Sequence, residues 1–113
     1  MSGSANQIGG SSNTVNGSQN KVKGDDNVLV GNLNQVNGGN NNIKGDENKL
    51  KGNNNQVEGD KNAVNGDANR IKGNQNAVVG NKNDIFGSIN SVLGSENSIL
   101  GDKSVVQGDK NQA

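Results

Sequence analysis

The chain has 113 residues, a length that suits one domain or one stretch of a longer array. Eleven basic and eleven acidic residues cancel, so no net field draws the chain toward nucleic acid or an acidic membrane. Cysteine and histidine are absent, and no apolar run approaches the length of a membrane span. We therefore expect no enzyme, no cofactor, no nucleic-acid partner, no membrane insertion and no small-molecule substrate.

Glycine recurs at every seventh position from Gly3 to Gly108 without insertion or deletion. The units follow the pattern G-[DSN]-x-N-x-[VIL]-x, and Ser104 alone interrupts the Asn column. A coiled coil is excluded because each unit offers one apolar position, where a coiled coil needs two. Each glycine would also cost a helix about 1 kcal/mol relative to alanine. The strict period instead predicts a stacked repeat architecture.

Each unit predicts one short strand and one corner. In N-x-V-x, alternate residues point to opposite sides, so the Asn and the aliphatic residue face inward together. Glycine follows the strand at a tight turn that needs positive φ, and the next two residues are turn formers. Two units then close one coil, in which two strands face each other across a thin core. The predicted fold is an all-β solenoid of eight fourteen-residue coils, roughly 38 Å long at about 4.7 Å per rung.

We expect residues 3–113 to form a single domain that is a segment of a longer protein. One aliphatic residue per unit forms the predicted core: Val15, Val22, Leu29, Val36, Ile43, Leu50, Val57, Val64, Ile71, Val78, Ile85, Val92, Ile99 and Val106. Inward amides can be buried where they bond to the coils above and below. That predicted column is Asn13, Asn20, Asn27, Asn34, Asn41, Asn48, Asn55, Asn62, Asn69, Asn76, Asn83, Asn90 and Asn97.

The repeated N-x-V-x-G run resembles the x-x-N-x-V-x-G repeat of grass ice-recrystallisation inhibitor proteins, over residues 3–113. It is similar, at lower stringency, to the head repeats of trimeric autotransporter adhesins. Both resemblances imply a left-handed β-roll; the spacing itself does not indicate the hand. The first resemblance implies ice binding, and the second implies an adhesin head that assembles as three chains.

The outward positions must carry the function, and odd and even units place them on opposite faces. Ice binding is expected to need a flat array of short side chains such as Thr, Ser or Val, yet Thr14 is the one threonine. In the second half of the chain, apolar residues recur at outward positions, and clustered exposed apolar residues mark contact surfaces. The residues predicted for self-association are Ala77, Val79, Leu93 and Val105 on the face of the odd units, and Phe86 and Leu100 on the face of the even units.

These patterns favour a structural module that forms homodimers or homotrimers, or that acts as a rigid spacer. An ice-binding protein is the first alternative, and an adhesin-head-like module is the second. A basic patch at Lys21, Lys23, Lys49 and Lys51 is interpreted as a solubilising face, because no aromatic residues accompany it. Gly-Asp pairs are interpreted as turns, because neutral residues fill too many of the equivalent positions for calcium binding. The sequence leaves the compartment open.

Overall fold

The structure is a computed structural model that describes residues 2–113. Every named element in that range is a three-residue β-strand, which confirms the all-β solenoid class. No helix among these residues could cross a membrane. The strands are β1 (Gln7–Gly9), β2 (Thr14–Asn16), β3 (Lys21–Lys23), β4 (Val28–Val30), β5 (Gln35–Asn37), β6 (Asn42–Lys44), β7 (Lys49–Lys51), β8 (Gln56–Glu58), β9 (Ala63–Asn65), β10 (Arg70–Lys72), β11 (Ala77–Val79), β12 (Asp84–Phe86), β13 (Ser91–Leu93), β14 (Ser98–Leu100) and β15 (Val105–Gln107).

Odd-numbered strands form one eight-stranded sheet, and even-numbered strands form a second sheet of seven strands. All pairing is parallel, and each strand pairs with the strand one coil away; β7, for example, lies between β5 and β9. Strands β1 to β14 make seven complete coils, and β15 begins the next. The stack measures 39 × 20 × 12 Å, close to the predicted length. We call the outer surface of the eight-stranded sheet the odd face and that of the seven-stranded sheet the even face.

The core is a double row of aliphatic side chains, one from the centre of each strand from β2 to β15. These fourteen residues are at most 7% exposed, and Ile8 of β1 packs against them while only partly buried. The register places Val36, Leu50 and Val64 on successive rungs of one sheet. Burying each branched side chain is worth about 2 kcal/mol, so every rung contributes to the same continuous core.

The inward asparagines form a hydrogen-bonded column at each edge of the core. Asn48 shows the pattern: its backbone N–H and its Nδ2 both donate to Oδ1 of Asn34, at 2.9 and 3.1 Å. Nδ2 of Asn48 also donates to the carbonyl oxygen of Gly59 at 2.8 Å. Oδ1 of Asn48 accepts from the backbone N–H and the Nδ2 of Asn62. Because every polar atom of the amide is bonded, the cost of its burial is offset. From Asn20 to Asn97 these residues are at most 1% exposed, and Asn13 is half-buried.

Ser104 keeps only part of this pattern. Its backbone N–H donates to Oδ1 of Asn90 at 2.8 Å, as an asparagine at that position would. A serine has no Nδ2, so the second donor to Asn90 is lost. The column therefore continues through the backbone at this rung without its side-chain half.

Each corner consists of a glycine and two further residues, and the glycine has two separate reasons to be there. Gly52 has a φ of 137°, and a Cβ built on it would overlap the carbonyl oxygen of Gly66 on the next coil. The third corner residue is also left-handed, with φ between 57° and 61° in every unit, yet it is never glycine. This conformation costs about 1–2 kcal/mol for a residue with a side chain. It was not predicted from the sequence, because residues as different as Asn40 and Ile89 occupy the position.

The second corner residue forms a further ladder on the outside of each corner. Oδ1 of Asp60 accepts from the backbone N–H of Asp46, and Oδ1 of Asp67 accepts from that of Asn53, each at 2.8 Å. The Gly-Asp pairs therefore use their carboxylates to bond the backbone of the corner one coil earlier. Within residues 2–113 no group of three or more His, Cys, Asp or Glu is placed to hold a metal ion.

Candidate functional site

Both faces present two straight columns of side chains, because the residues flanking each buried strand centre point outward and the pairing is in register. The columns are about 6.7 Å apart, two residues along a strand, and the rungs are about 4.8 Å apart. On the odd face a shallow trough runs between the columns from β3 to β11. The paired backbone fixes both spacings. The register of the strands is also fixed, because a slip of one residue would turn the core aliphatics outward.

The odd face changes character along its length. Strands β3 and β7 place lysines in both columns, whereas no outward side chain of β9, β11, β13 or β15 is charged. Val79 and Leu93 are neighbours in register and are 48% and 53% exposed. We call the second stretch the uncharged half; its outward residues are Ala63, Asn65, Ala77, Val79, Ser91, Leu93, Val105 and Gln107.

Ile89 adds an apolar edge to the uncharged half. Corner residues that precede odd strands lie beside the first outward column: Leu33, for example, lines one surface depression together with Gln35 of β5. Ile89 holds the equivalent place before β13 and is 50% exposed. Its φ is 61°, an unusual conformation for a β-branched residue.

The even face has a different composition. Lys44, Glu58 and Lys72 follow one another in a single column, and Nζ of Lys72 lies 4.0 Å from Oε2 of Glu58. The guanidinium of Arg70 lies 5.8 Å from the ring centre of Phe86. Long side chains of alternating charge make this surface uneven and strongly hydrated.

The six residues predicted for self-association lie on opposite faces, as the alternation of odd and even units indicates. Ala77, Val79, Leu93 and Val105 lie on the odd face, whereas Phe86 and Leu100 are neighbours in register on the even face. The plate is 12 Å thick between these surfaces, so one partner contact cannot include all six. The odd-face group belongs to the uncharged half, and the even-face pair is a separate apolar spot.

A family model described as the grass antifreeze beta roll matches residues 24–113. The chain belongs to this family. The match covers β4 to β15 and therefore includes the whole uncharged half. It confirms the resemblance to grass ice-recrystallisation inhibitors stated from the repeat. No curated protein matches the chain.

In this member of the family, the sequence signal of the candidate site was the absence of charge. The outward positions of odd units carry no Lys, Arg, Asp or Glu after Lys51. The prediction of apolar contact residues included Ala77 and Val79. It did not include Ala63, Asn65 and Ser91, which lie in the same two columns.

Proposed function

We propose that this β-roll binds ice through the uncharged half of its odd face. Membership of the grass antifreeze family favours this function over the structural module that the sequence alone placed first. The observation that carries the proposal is that β9, β11, β13 and β15 place no charged side chain outward over four successive rungs.

The physical reason is the match between a rigid surface and an ordered one. Ice presents water at fixed spacings, so a protein surface that binds it must hold its own groups at fixed spacings. Here parallel pairing and the bonded asparagines fix the backbone of every rung. Short side chains such as Ala77, Val79 and Ser91 lose little conformational entropy when water orders around them. Lysine ammonium groups, by contrast, are strongly hydrated and carried on flexible stems.

Threonine plays no part in this array, because Thr14 lies on the even face. The candidate surface consists instead of Ala, Val, Leu and Ser, with Asn65 and Gln107 as its outward amides. We therefore expect the contact to rest mainly on apolar side chains that shape the adjacent water, with Ser91 supplying one hydroxyl.

Charge introduced into the uncharged half should abolish ice binding. With Val79→Lys and Leu93→Lys, two neighbouring rungs would carry hydrated, mobile ammonium groups in place of shorter apolar side chains. We expect the unchanged chain to inhibit recrystallisation of fine ice, and the double variant to lose this inhibition at the same concentration. Both side chains are about half exposed, so thermal unfolding followed by circular dichroism should change little.

The matched control is Val28→Lys with Asn42→Lys. These two residues are also register neighbours on adjacent strands, but they lie on the even face. The control adds the same charge and should keep full inhibition. Equal loss of activity in both double variants, or no inhibition by the unchanged chain, would contradict the assignment.

A second candidate function is self-association of two copies through the even face. Leu100 is 79% exposed and stands beside Phe86 in register, which leaves an apolar spot outside the ice-binding columns. The broad face measures 39 by 20 Å, similar to the ~800 Å² per partner that a stable interface needs.

Sedimentation velocity tests this candidate directly. We expect a concentration-dependent dimer that Leu100→Asp converts to a monomer with the same melting temperature. The matched change Leu93→Asp, on the odd face, should leave the dimer intact. A chain that stays monomeric at every concentration would exclude self-association without touching the ice-binding proposal.

A further inference from the structure

The basic half of the odd face is an unbalanced array of positive charge. Within residues 2–113 the only ion pair within 4.0 Å joins Lys72 to Glu58, and it lies on the even face. Strands β3 and β7 each place two exposed lysines outward. We call these four residues the lysine quartet: Lys21, Lys23, Lys49 and Lys51.

The spacing of the quartet is regular. The register places Gln35 between Lys21 and Lys49, and Asn37 between Lys23 and Lys51. Lysines therefore recur at every second rung, about 9.6 Å apart, in both columns. This is within the screening distance of about 10 Å at 0.1 M salt, so the four ammonium groups repel one another and sum to one positive field. The nearby acids lie in the corners at the two edges of the face: Asp46 and Glu47 before Lys49, and Asp25 and Asp26 after Lys23.

The even face shows that the same fold can balance its cations. Lys44 and Lys72 each have Glu58 as the register neighbour, and Arg70 has Asp84. On the odd face the register neighbours of the lysines are all uncharged, and none is an acid: Gln7, Gly9, Gln35, Asn37, Ala63 and Asn65. Because both faces share one backbone geometry, the lack of acids among the quartet is a property of the side chains and not of the architecture.

The shape of this surface suggests a long, thin ligand. Lysines line both sides of the trough from β3 to β7, and the amides of β5 occupy the rung between them. We infer that the lysine quartet binds a linear acidic polysaccharide, a sugar chain that carries carboxylate or sulfate groups. Such a chain lying along the trough presents anions to the ammonium groups on both sides. Gln35 and Asn37 can both donate to and accept from its hydroxyls.

Two other polyanions fit the surface less well. Single-stranded nucleic acid gains much of its affinity from bases stacked on aromatic rings, but the one aromatic residue, Phe86, lies on the even face. Surfaces that lie on a membrane combine basic residues with apolar ones that enter the lipid. The outward residues of β3, β5 and β7 are all Lys, Gln or Asn. Amides between lysines are instead suited to hydroxyl-rich chains.

Binding of defined polymers by affinity electrophoresis tests this inference. We expect retardation by polygalacturonate and by dextran sulfate, and none by neutral dextran. Binding should weaken strongly between about 0.01 M and about 0.15 M salt, as the screening distance falls from ~30 to ~8 Å. In Lys49→Gln with Lys51→Gln, affinity should fall roughly fivefold or more, at up to about 1 kcal/mol for each exposed ion pair.

The matched control is Lys44→Gln with Lys72→Gln, which removes the same charge from the even face and should change affinity less than about twofold. Equal loss in both variants would overturn the inference, as would equal binding of neutral dextran. Tighter binding to phosphatidylserine vesicles or to single-stranded DNA would overturn the choice of polysaccharide. The inference is separate from ice binding, because none of the lysines lies in the uncharged half and the glutamine variants should still inhibit recrystallisation.

Discussion

Replacing Asn62 by aspartate should cost about 4 kcal/mol or more of stability, although the two side chains have nearly the same shape. Nδ2 of Asn62 donates to Oδ1 of Asn48 at 3.1 Å and to the carbonyl oxygen of Gly73 at 2.8 Å. A carboxylate at this position would place a negatively charged acceptor against these two acceptor oxygens. The position is buried, since Asn62 is 1% exposed. Because each coil contacts only its neighbours, a defect at this central rung should weaken the coupling between the two halves of the stack. Urea unfolding followed by circular dichroism measures the loss.

The pH dependence of this variant gives an independent check. Burial disfavours the charged form, so the pKa of the introduced carboxyl should rise in the folded state above its unfolded value of about 3.9. A raised folded-state pKa means that the neutral acid is tolerated best below the unfolded pKa, and that stability is lost as pH rises through the folded pKa. The penalty relative to the unchanged chain should therefore shrink in acid. Asn54→Asp is the control, since Asn54 is an exposed corner residue; a similar penalty there would contradict the buried column.

Replacing Gly52 by alanine should destabilise the stack by more than about 3 kcal/mol. Two effects combine at this corner: a φ of 137°, which residues with a side chain avoid, and overlap of the new Cβ with the carbonyl oxygen of Gly66. Relief of that overlap would require two coils to separate locally, which lengthens the backbone bonds between them. Thermal unfolding of purified protein gives the change in melting temperature.

Two other glycines separate these effects. Gly101→Ala has a similar φ of 139° but nothing within 4 Å of the new Cβ, so its cost should be the conformational part alone, about 1–3 kcal/mol. Gly39→Ala lies outside the glycine column and needs no positive φ; its nearest neighbour would be the carbonyl oxygen of Asp25 at 3.2 Å. We expect a change within about 1 kcal/mol there. If all three alanine variants melted alike, the close stacking of corners would be wrong.

The repeat contained almost everything needed to predict the coil. Glycine at every seventh residue located the corners. The N-x-V-x alternation located the strands, because successive side chains of a strand point alternately inward and outward. The left-handed third corner residue could not be predicted in the same way. Its conformation is imposed by the two ladders around it, and the position accepts Leu33 and Ile89 as readily as Asn40. Because tertiary structure overrides the local backbone preference of the third corner residue, no residue type recurs at this position in the sequence.

The candidate site was only partly predictable. Odd and even units assign each outward residue to a face, so the change from lysines to uncharged residues after Lys51 was present in the sequence. The proposed use of that surface in ice binding was not predicted first. The near absence of threonine argued against ice binding, and apolar residues such as Leu93 suggested a protein partner instead. The contribution of Ile89 depends on where the corner lies beside β13, which follows only from the three-dimensional arrangement.

Consecutive units belong to opposite sheets, and this has a consequence for how such a gene can change in length. Loss or duplication of fourteen codons leaves every later strand in its own sheet. A change of seven codons preserves the coil equally well, yet it transfers each later strand to the opposite sheet. Both candidate binding surfaces are then divided between the odd face and the even face. Recombination within this tandem array is therefore neutral for folding at either step, whereas selection on a binding surface should tolerate only the longer one.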